Sequence, residues 1–455
     1  MSKNSINRRD FLSSAAIMGA AGTLGAGTLL TSCGGTKEPS LVPLRPTADW
    51  SIPQGGPLPD IAKDGAPIKA GLVGCGGRGN GAAMDFLRAA TNVSVVALGD
   101  VFADRLNGCR KSLTNEYKQE IADDMCFVGF DSYQKVIDSD VDVVLLCTPP
   151  AFRPLHFKAA VEAGKHVFME KSVAVDPVGV RSVIADSKKA LGQGLCVITG
   201  TQRHHERIYV EGYKQVQSGL IGDIVSANVY WNQSMLWFKT KDNAWTDMEW
   251  MIRDWVNWNW LSGDHIVEQH CHNIDVFNWF SHLKPVSCVG FGARHRRLTG
   301  DQYDMFSVDF IYEGGIHVHS MCRQIDGCKD NVSERIQGTK GVWTSDGVIR
   351  DLKGNELWRY DAEKEKEEYQ QHNPYILEHV NLVNHIRDNR PISQAEDTAI
   401  STMAAIMGRE SAYTGREITM EEMMGSDMNL VPENLELKNM DMSKFIIPVP
   451  GKAKT

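Results

Sequence analysis

The chain has no cluster of Lys or Arg. Its 48 basic residues are scattered and outnumbered by 57 acidic ones, giving a formal net charge of -9. A polyanion-binding surface needs basic groups concentrated on one face, so nucleic acid is excluded as an expected partner. Internal repeats and low-complexity tracts are also lacking, which argues against solenoid and disordered architectures. Apart from one run near the N-terminus, no stretch is long and apolar enough to span a bilayer. Cysteine is not scarce: there are ten. Several lie in apolar strand-like runs, such as Cys147 in VDVVLLC and Cys196 in GLCVITG, where a thiol behaves as a small hydrophobe. Mostly free thiols are expected.

The first residues read as targeting. Lys3, Arg8 and Arg9 precede an apolar, Gly/Ala-rich run from about Ala15 to Leu30. Within this segment NRRDFL (7–12) resembles a twin-arginine export signal, a route for cargo folded before export. The run ends in Leu30-Thr31-Ser32-Cys33-Gly34, similar to a lipobox, so residues 1–33 are read as a signal peptide and Cys33 as the lipidated anchor. This places the protein on the periplasmic face of a membrane. Residues 34–67, rich in Pro, Gly, Ser and Thr, read as a tether.

At Ile68 the pattern becomes strand, glycine turn and amphipathic helix, in IKAGLVGCGGRGNGAAMDFLRAA. Further apolar strands follow in VSVVALGD, VDVVLLC, HVFMEK and LCVITG. Strands alternating with helices imply a parallel sheet. The fold class expected is therefore α/β, with an N-terminal Rossmann dinucleotide-binding domain over 68–200. Beyond it the runs IVSANVYWN, VSCVGFGARHRR and MFSVDFIYEGGIHVHSMCR alternate as antiparallel strands do. Residues 201–415 are expected to form a substrate-binding and oligomerising α/β domain with a large, mostly antiparallel sheet. Late helices should pack back on the body, and 416–455 form a C-terminal extension.

Gly74, Gly76, Gly77, Arg78 and Gly79 lie in a G-x-G-x-x-G turn that opens a helix, where backbone N–H groups receive a pyrophosphate. Asp100 ends the second strand about twenty residues later, where a carboxylate bonds the ribose hydroxyls and repels a 2′-phosphate. NAD is the expected cofactor. Arg105, Thr148, Pro149, Glu170, Lys171 and Gln202 stand beside the later strand ends and are candidate cofactor contacts.

The glycine turn, CTPP (147–150), AGKHVFMEKSVAV (163–175) and GDHIVEQHCHNIDVFNW (263–279) together resemble the Gfo/Idh/MocA oxidoreductases, over nearly all of 68–415. In that family a Glu-Lys-Pro segment supplies a lysine that reaches nicotinamide and substrate hydroxyl. Here it reads Glu170-Lys171-Ser172, with the proline lost and the lysine kept. A second family signature, an acid four residues before a histidine, falls on Glu268 and His272, with Asp275 beyond. That spacing puts both on one helical face. The resemblance implies His272 as base, Lys171 as electrostatic partner and Glu268 as the group that orients the imidazole. It also implies a dimer or tetramer, because exposed sheet faces in the family pair.

Arg203 and His204 follow the last Rossmann strand. With Tyr209, Trp231, Arg253, His265 and Asp275 they form a candidate substrate set, aromatic faces and hydrogen-bonding groups that suit carbohydrate. His265, Glu268 and His272 also admit a metal, which the family does not generally need; none is assigned. The function expected is NAD(H)-dependent redox chemistry on a sugar, polyol or glycoside hydroxyl. An exported enzyme cannot draw on a cytoplasmic dinucleotide pool, so the cofactor would be retained and internally recycled. The alternatives are a glycosidase or epimerase working by transient oxidation, a metal-dependent hydrolase or lyase, and a non-catalytic binding lipoprotein.

Overall fold

The structure, a computed structural model, describes residues 58–451. The signal peptide, Cys33 and the tether up to residue 57 lie outside the described residues. The first sheet is built from β1 (Ile68–Val73), β2 (Val93–Asp100), β3 (Cys126–Val128), β4 (Val143–Leu146), β5 (His166–Met169) and β6 (Cys196–Thr199). These strands are short and apolar, and β4 and β6 are buried throughout. That is the composition of a parallel sheet covered on both faces. All pairings are parallel, in the order β15-β6-β5-β4-β1-β2-β3. The strand order reverses between β1 and β4, so a crevice opens where Gly74 meets the carboxyl end of β4. The outermost strand, β15 (Ile392–Ser393), arrives from far down the chain and pairs with Cys196 and Val197. Two residues are too few for any periodicity to announce.

The second sheet has the order β14-β13-β12-β11-β7-β10-β9-β8-β16. Its strands are β7 (Ile224–Gln233), β8 (Pro285–Ala293), β9 (Met305–Tyr312), β10 (Ile316–Gln324), β11 (Asn331–Gly338), β12 (Gly341–Thr344), β13 (Val348–Asp351), β14 (Glu356–Arg359) and β16 (Ile418–Thr419). Only β7 and β10 run parallel; every other pair is antiparallel. Phe306, Val308, Phe310 and Tyr312 of β9 alternate inward. They meet the helices Cys271–Ser281 and Ala395–Thr414, which are buried along almost their whole length. Ala395–Thr414 also packs on Pro177–Gly192 of the first domain, so one helix ties both sheets into a continuous apolar core.

A separate apolar cluster joins Phe102 and Phe152, at the carboxyl edge of the first sheet, to Met248, Met251, Ile252, Trp258 and Trp260. Leu430, Val431, Leu435, Met440 and Phe445 of the C-terminal extension lie against it. The nine cysteines among the described residues are free thiols, and six are buried. Among the described residues no helix is long and apolar enough to cross a membrane.

Candidate active site

Two of the glycines are required by geometry. Gly74 has a φ of +94°, and a Cβ there would stand 2.8 Å from the backbone of Cys147 and Thr148. A Cβ on Gly79 would lie 1.7 Å from the Gly74 carbonyl oxygen, so only glycine lets the helix approach the strand this closely. The helix Gly77–Ala89 starts at Gly76 with no capping side chain and no acid in its first turn. Its free N–H groups face the crevice, the arrangement that receives a phosphate. Asp100 accepts hydrogen bonds from the backbone N–H groups of Cys75 (2.7 Å) and Phe102 (2.8 Å). Each carboxylate oxygen keeps acceptor capacity for a ribose hydroxyl. Burial pushes the Asp100 carboxyl above its usual range despite these two bonds.

These groups wall one cleft, with Gly74, Gly76, Asp100, Arg105, Thr148 and Pro149 all on its lining. The glycine cradle and the acid beside it suit the pyrophosphate and adenosine of a dinucleotide. Thr148 lies 3.3 Å from His156, whose imidazole burial and then Arg153 pull down to about 3.

Arg78 and Glu170 stand elsewhere than expected. The Arg78 guanidinium is bonded to Glu170, Asp85 (3.1 Å) and Glu378 (3.2 Å), so its charge is taken up by three carboxylates rather than offered to a pyrophosphate. Burial pushes the Glu170 carboxyl up, but Arg78 and Arg153 outweigh it and hold the group ionised. Gln202 is buried and does not line the cleft.

Lys171 follows β5 by two residues, at the opposite end of the crevice from Asp100. Its Nζ donates to the Glu268 carbonyl oxygen and to Glu268 Oε1 (3.1 Å), with 11% of the side chain exposed. Burial pulls the ammonium down, but Glu268 and then Cys271 and Glu170 raise it, so the net shift is upward and Lys171 is a cation. The Lys171–Ser172 peptide is cis, and Ser172 Oγ donates to the Val267 carbonyl, pinning this loop to the segment that carries Glu268.

The expectation that Glu268 and His272 share one continuous helical face is corrected. The N–H groups of Gln269 (2.9 Å) and His270 (3.1 Å) both reach the His265 carbonyl, so the repeat slips from i−4 to i−5 and a new helix begins at Cys271. Glu268 therefore meets Lys171, and it does not orient the imidazole. His272 instead stacks on Trp231, with ring centroids 5.5 Å apart. Burial, then the charges of Lys171 and Arg203, hold His272 well below the usual imidazole range, and its place in the first turn of a helix opposes protonation further. It is a neutral imidazole within the field of two cations.

Arg203 lies over Trp231 at 5.4 Å and pairs with Glu334 of β11, which also accepts from Tyr209 (2.9 Å) and Asn273 (2.7 Å). His204 bonds Asp275 at 2.7 Å, and Asp275 accepts from Ser401 at 2.8 Å. Arg203, His204, Tyr209, Trp231 and Asp275 are thus brought together around the His272 helix. Glu334 is missed in the sequence, although an acid at an inward position of SERIQG is a signal. His265 is not in this group: it is buried against Asp264 (3.0 Å), Arg297 (3.4 Å) and Phe306. Arg253 is corrected too. It reaches Asp104, just after β2, through two bonds of 3.0 and 3.1 Å on the Asp100 side of the crevice. Among the described residues no three His, Cys, Asp or Glu side chains converge to hold a metal.

Residues 68–201 match the family described as "Oxidoreductase family, NAD-binding Rossmann fold", and residues 209–344 match the "GFO/IDH/MocA C-terminal domain". An inositol 2-dehydrogenase/D-chiro-inositol 3-dehydrogenase of Lactiplantibacillus plantarum is 26% identical over 215 residues, covering 46% of this chain and 51% of that one. An inositol 2-dehydrogenase of Salmonella typhimurium is 28% identical over 213 residues, 47% of this chain and 54% of that one. The chain spans about half the length of these curated relatives. Among solved structures, the scyllo-inositol dehydrogenase of Lactobacillus casei with bound NAD(H) and scyllo-inositol superposes with a TM-score of 0.59 at 20% identity, over 78% of this chain and 99% of that one. An oxidoreductase domain protein from Kribbella flavida gives 0.64 at 16% identity, over 78% and 100%. With a family match on each sheet in succession, the chain belongs to the Gfo/Idh/MocA oxidoreductases, and its first domain is an NAD-binding Rossmann domain.

Proposed function

We propose that this protein is an NAD(H)-dependent oxidoreductase acting on a secondary hydroxyl of a sugar or polyol. One observation carries the reading: Lys171, a cation paired with Glu268, stands just past the carboxyl end of β5, and His272, buried and neutral, lies close enough to feel that charge. NAD bound in the crevice supplies the hydride acceptor. Oxidising a secondary alcohol also requires removal of the hydroxyl proton and relief of the developing alkoxide charge. His272 takes the proton, and Lys171 donates a hydrogen bond to the alkoxide oxygen. Glu268 keeps Lys171 charged and in place through the 3.1 Å pair. Trp231 and Arg203 stand around His272, so an aromatic edge and polar groups of the kind that carbohydrate sites use surround the proposed base. The inositol dehydrogenase relatives support a polyol as the substrate class.

The N-terminal reading belongs to the same proposal: export by the twin-arginine route, a lipid anchor on Cys33, a periplasmic location and a homo-oligomer. In that compartment the dinucleotide is kept through turnover and restored by a second half-reaction. The test is NADH formation by the full chain with NAD and a panel of myo-inositol, scyllo-inositol and methyl glucosides. Lys171→Met and His272→Ala should each slow turnover by roughly 10²–10⁴-fold with NADH binding kept. Wild-type turnover by Lys171→Met would overturn the assignment.

A further inference from the structure

The adenosine end of the cleft is not open to solvent in the way a bare Rossmann edge is. Three of its lining residues come from outside the first domain: Ile252 and Trp255 from the second domain, and Leu435 from the C-terminal extension. The extension lies beyond both family matches, which end at residue 344.

These outside segments are fastened to each other. The Met248 N–H donates to the Lys438 carbonyl (3.1 Å), and Asp247 both donates its N–H to Asn439 Oδ1 (3.2 Å) and accepts from the Met440 N–H (3.0 Å). They are also fastened to the first domain on two sides. Beside β2 the Arg253 guanidinium forks onto Asp104 and lies 3.9 Å from the Phe102 ring centroid. Beyond β5 the Leu430 N–H donates to Asp176, the residue that caps Pro177–Gly192. Between these two anchors the extension rests on the apolar cluster that contains Phe102 and Phe152.

We infer that residues 247–258 and 430–445 form a belt that retains the dinucleotide by closing over its adenosine half, so that release requires the belt to lift. This rests on the proposed NAD(H) function and deepens it. An adenosine seated against Asp100 lies beneath Ile252, Trp255 and Leu435. To leave, it must part the Arg253 fork and peel an apolar segment off the cluster. Both steps act on the departure rate, the quantity that contacts of this kind mainly set.

The full chain is loaded with NADH and desalted, and release is followed by the loss of bound-NADH fluorescence after mixing with excess NAD. Wild type should keep its NADH through desalting, whereas Arg253→Ala and Leu435→Ser should release it at least about tenfold faster at little changed melting temperature. Asp104→Asn removes the charge and one of the two acceptors of the fork at an exposed position and should give the same direction without touching the core. Release within about twofold of wild type in Asp104→Asn and in every folded variant overturns the belt. Failure of wild type to bind NADH at all would instead overturn the proposed function.

Discussion

Gly79 shows how little room the dinucleotide turn allows. A methyl group there would overlap the Gly74 carbonyl oxygen at 1.7 Å, and neither backbone segment has a flexible side chain to give way. Gly79→Ala should push the helix off β1, at a cost of about 1–3 kcal/mol for overpacking, and should abolish NADH binding. Fluorescence titration and thermal melting check both parts; unchanged NADH affinity would contradict the role given to this turn. Lys171 is the converse case, because its partner sets the charge rather than the space. With Glu268 beside it the ammonium is raised although most of the side chain is buried. Glu268→Gln should therefore lower the pH at which Lys171 loses its proton. The pH–rate profile should accordingly lose its alkaline side at lower pH than in wild type.

The helices on either side of residues 269–270 and strand β11 divide the work at the scale of elements. The slip in the hydrogen-bond repeat turns Glu268 toward Lys171 and leaves His272 against Trp231. β11 brings Glu334 underneath, where one carboxylate satisfies Arg203, Tyr209 and Asn273 at once. Removing it leaves a buried guanidinium without its directly paired carboxylate. Glu334→Ala should therefore destabilise the protein by about 3–5 kcal/mol in chemical denaturation. Adding Arg203→Met should recover part of that loss, since the stranded charge goes with it. No recovery in the double variant would show that Glu334 matters for packing alone.

At the scale of the whole molecule, five imidazoles among the described residues are buried and held neutral. Burial holds His156, His205 and His270 at about 3, and His272 and His379 well below their ordinary value of 6.5. The unfolded chain binds protons at these sites from about pH 6.5 downward, and the folded chain does not. Their contribution to stability is thus complete above pH 6.5 and is lost as pH falls toward the folded values. Asp397 and Asp301, which burial raises to about 7 and about 6, act in the opposite sense over the same interval, because the folded chain protonates them first. The imidazole share is therefore read by difference: His156→Gln should lose less melting temperature between pH 7 and 5 than wild type does. Calorimetry at the two pH values checks it, and an equal loss in variant and wild type would show that this ring is hydrated or already charged.

The first sheet was legible from residues because each of its strands is a local apolar run followed by a glycine or a helix start, and the crevice follows from strand order. The glycine turn and Asp100 were legible for the same reason: their places are fixed by distance along the chain from a strand end. What the sequence by itself determined was therefore the fold class and the dinucleotide turn, whereas Lys171 and His272 were singled out only by resemblance to a family. Pairing was decided only in three dimensions. Arg78 meets Glu378 across 300 residues, Arg203 meets Glu334 across 131, and Arg253 meets Asp104 rather than a ligand. A charged side chain takes whichever opposite charge the packed core leaves within reach, and no spacing along the chain encodes that choice. The C-terminal extension is the largest instance: without periodicity of its own, it acquires a place only from the apolar cluster it covers.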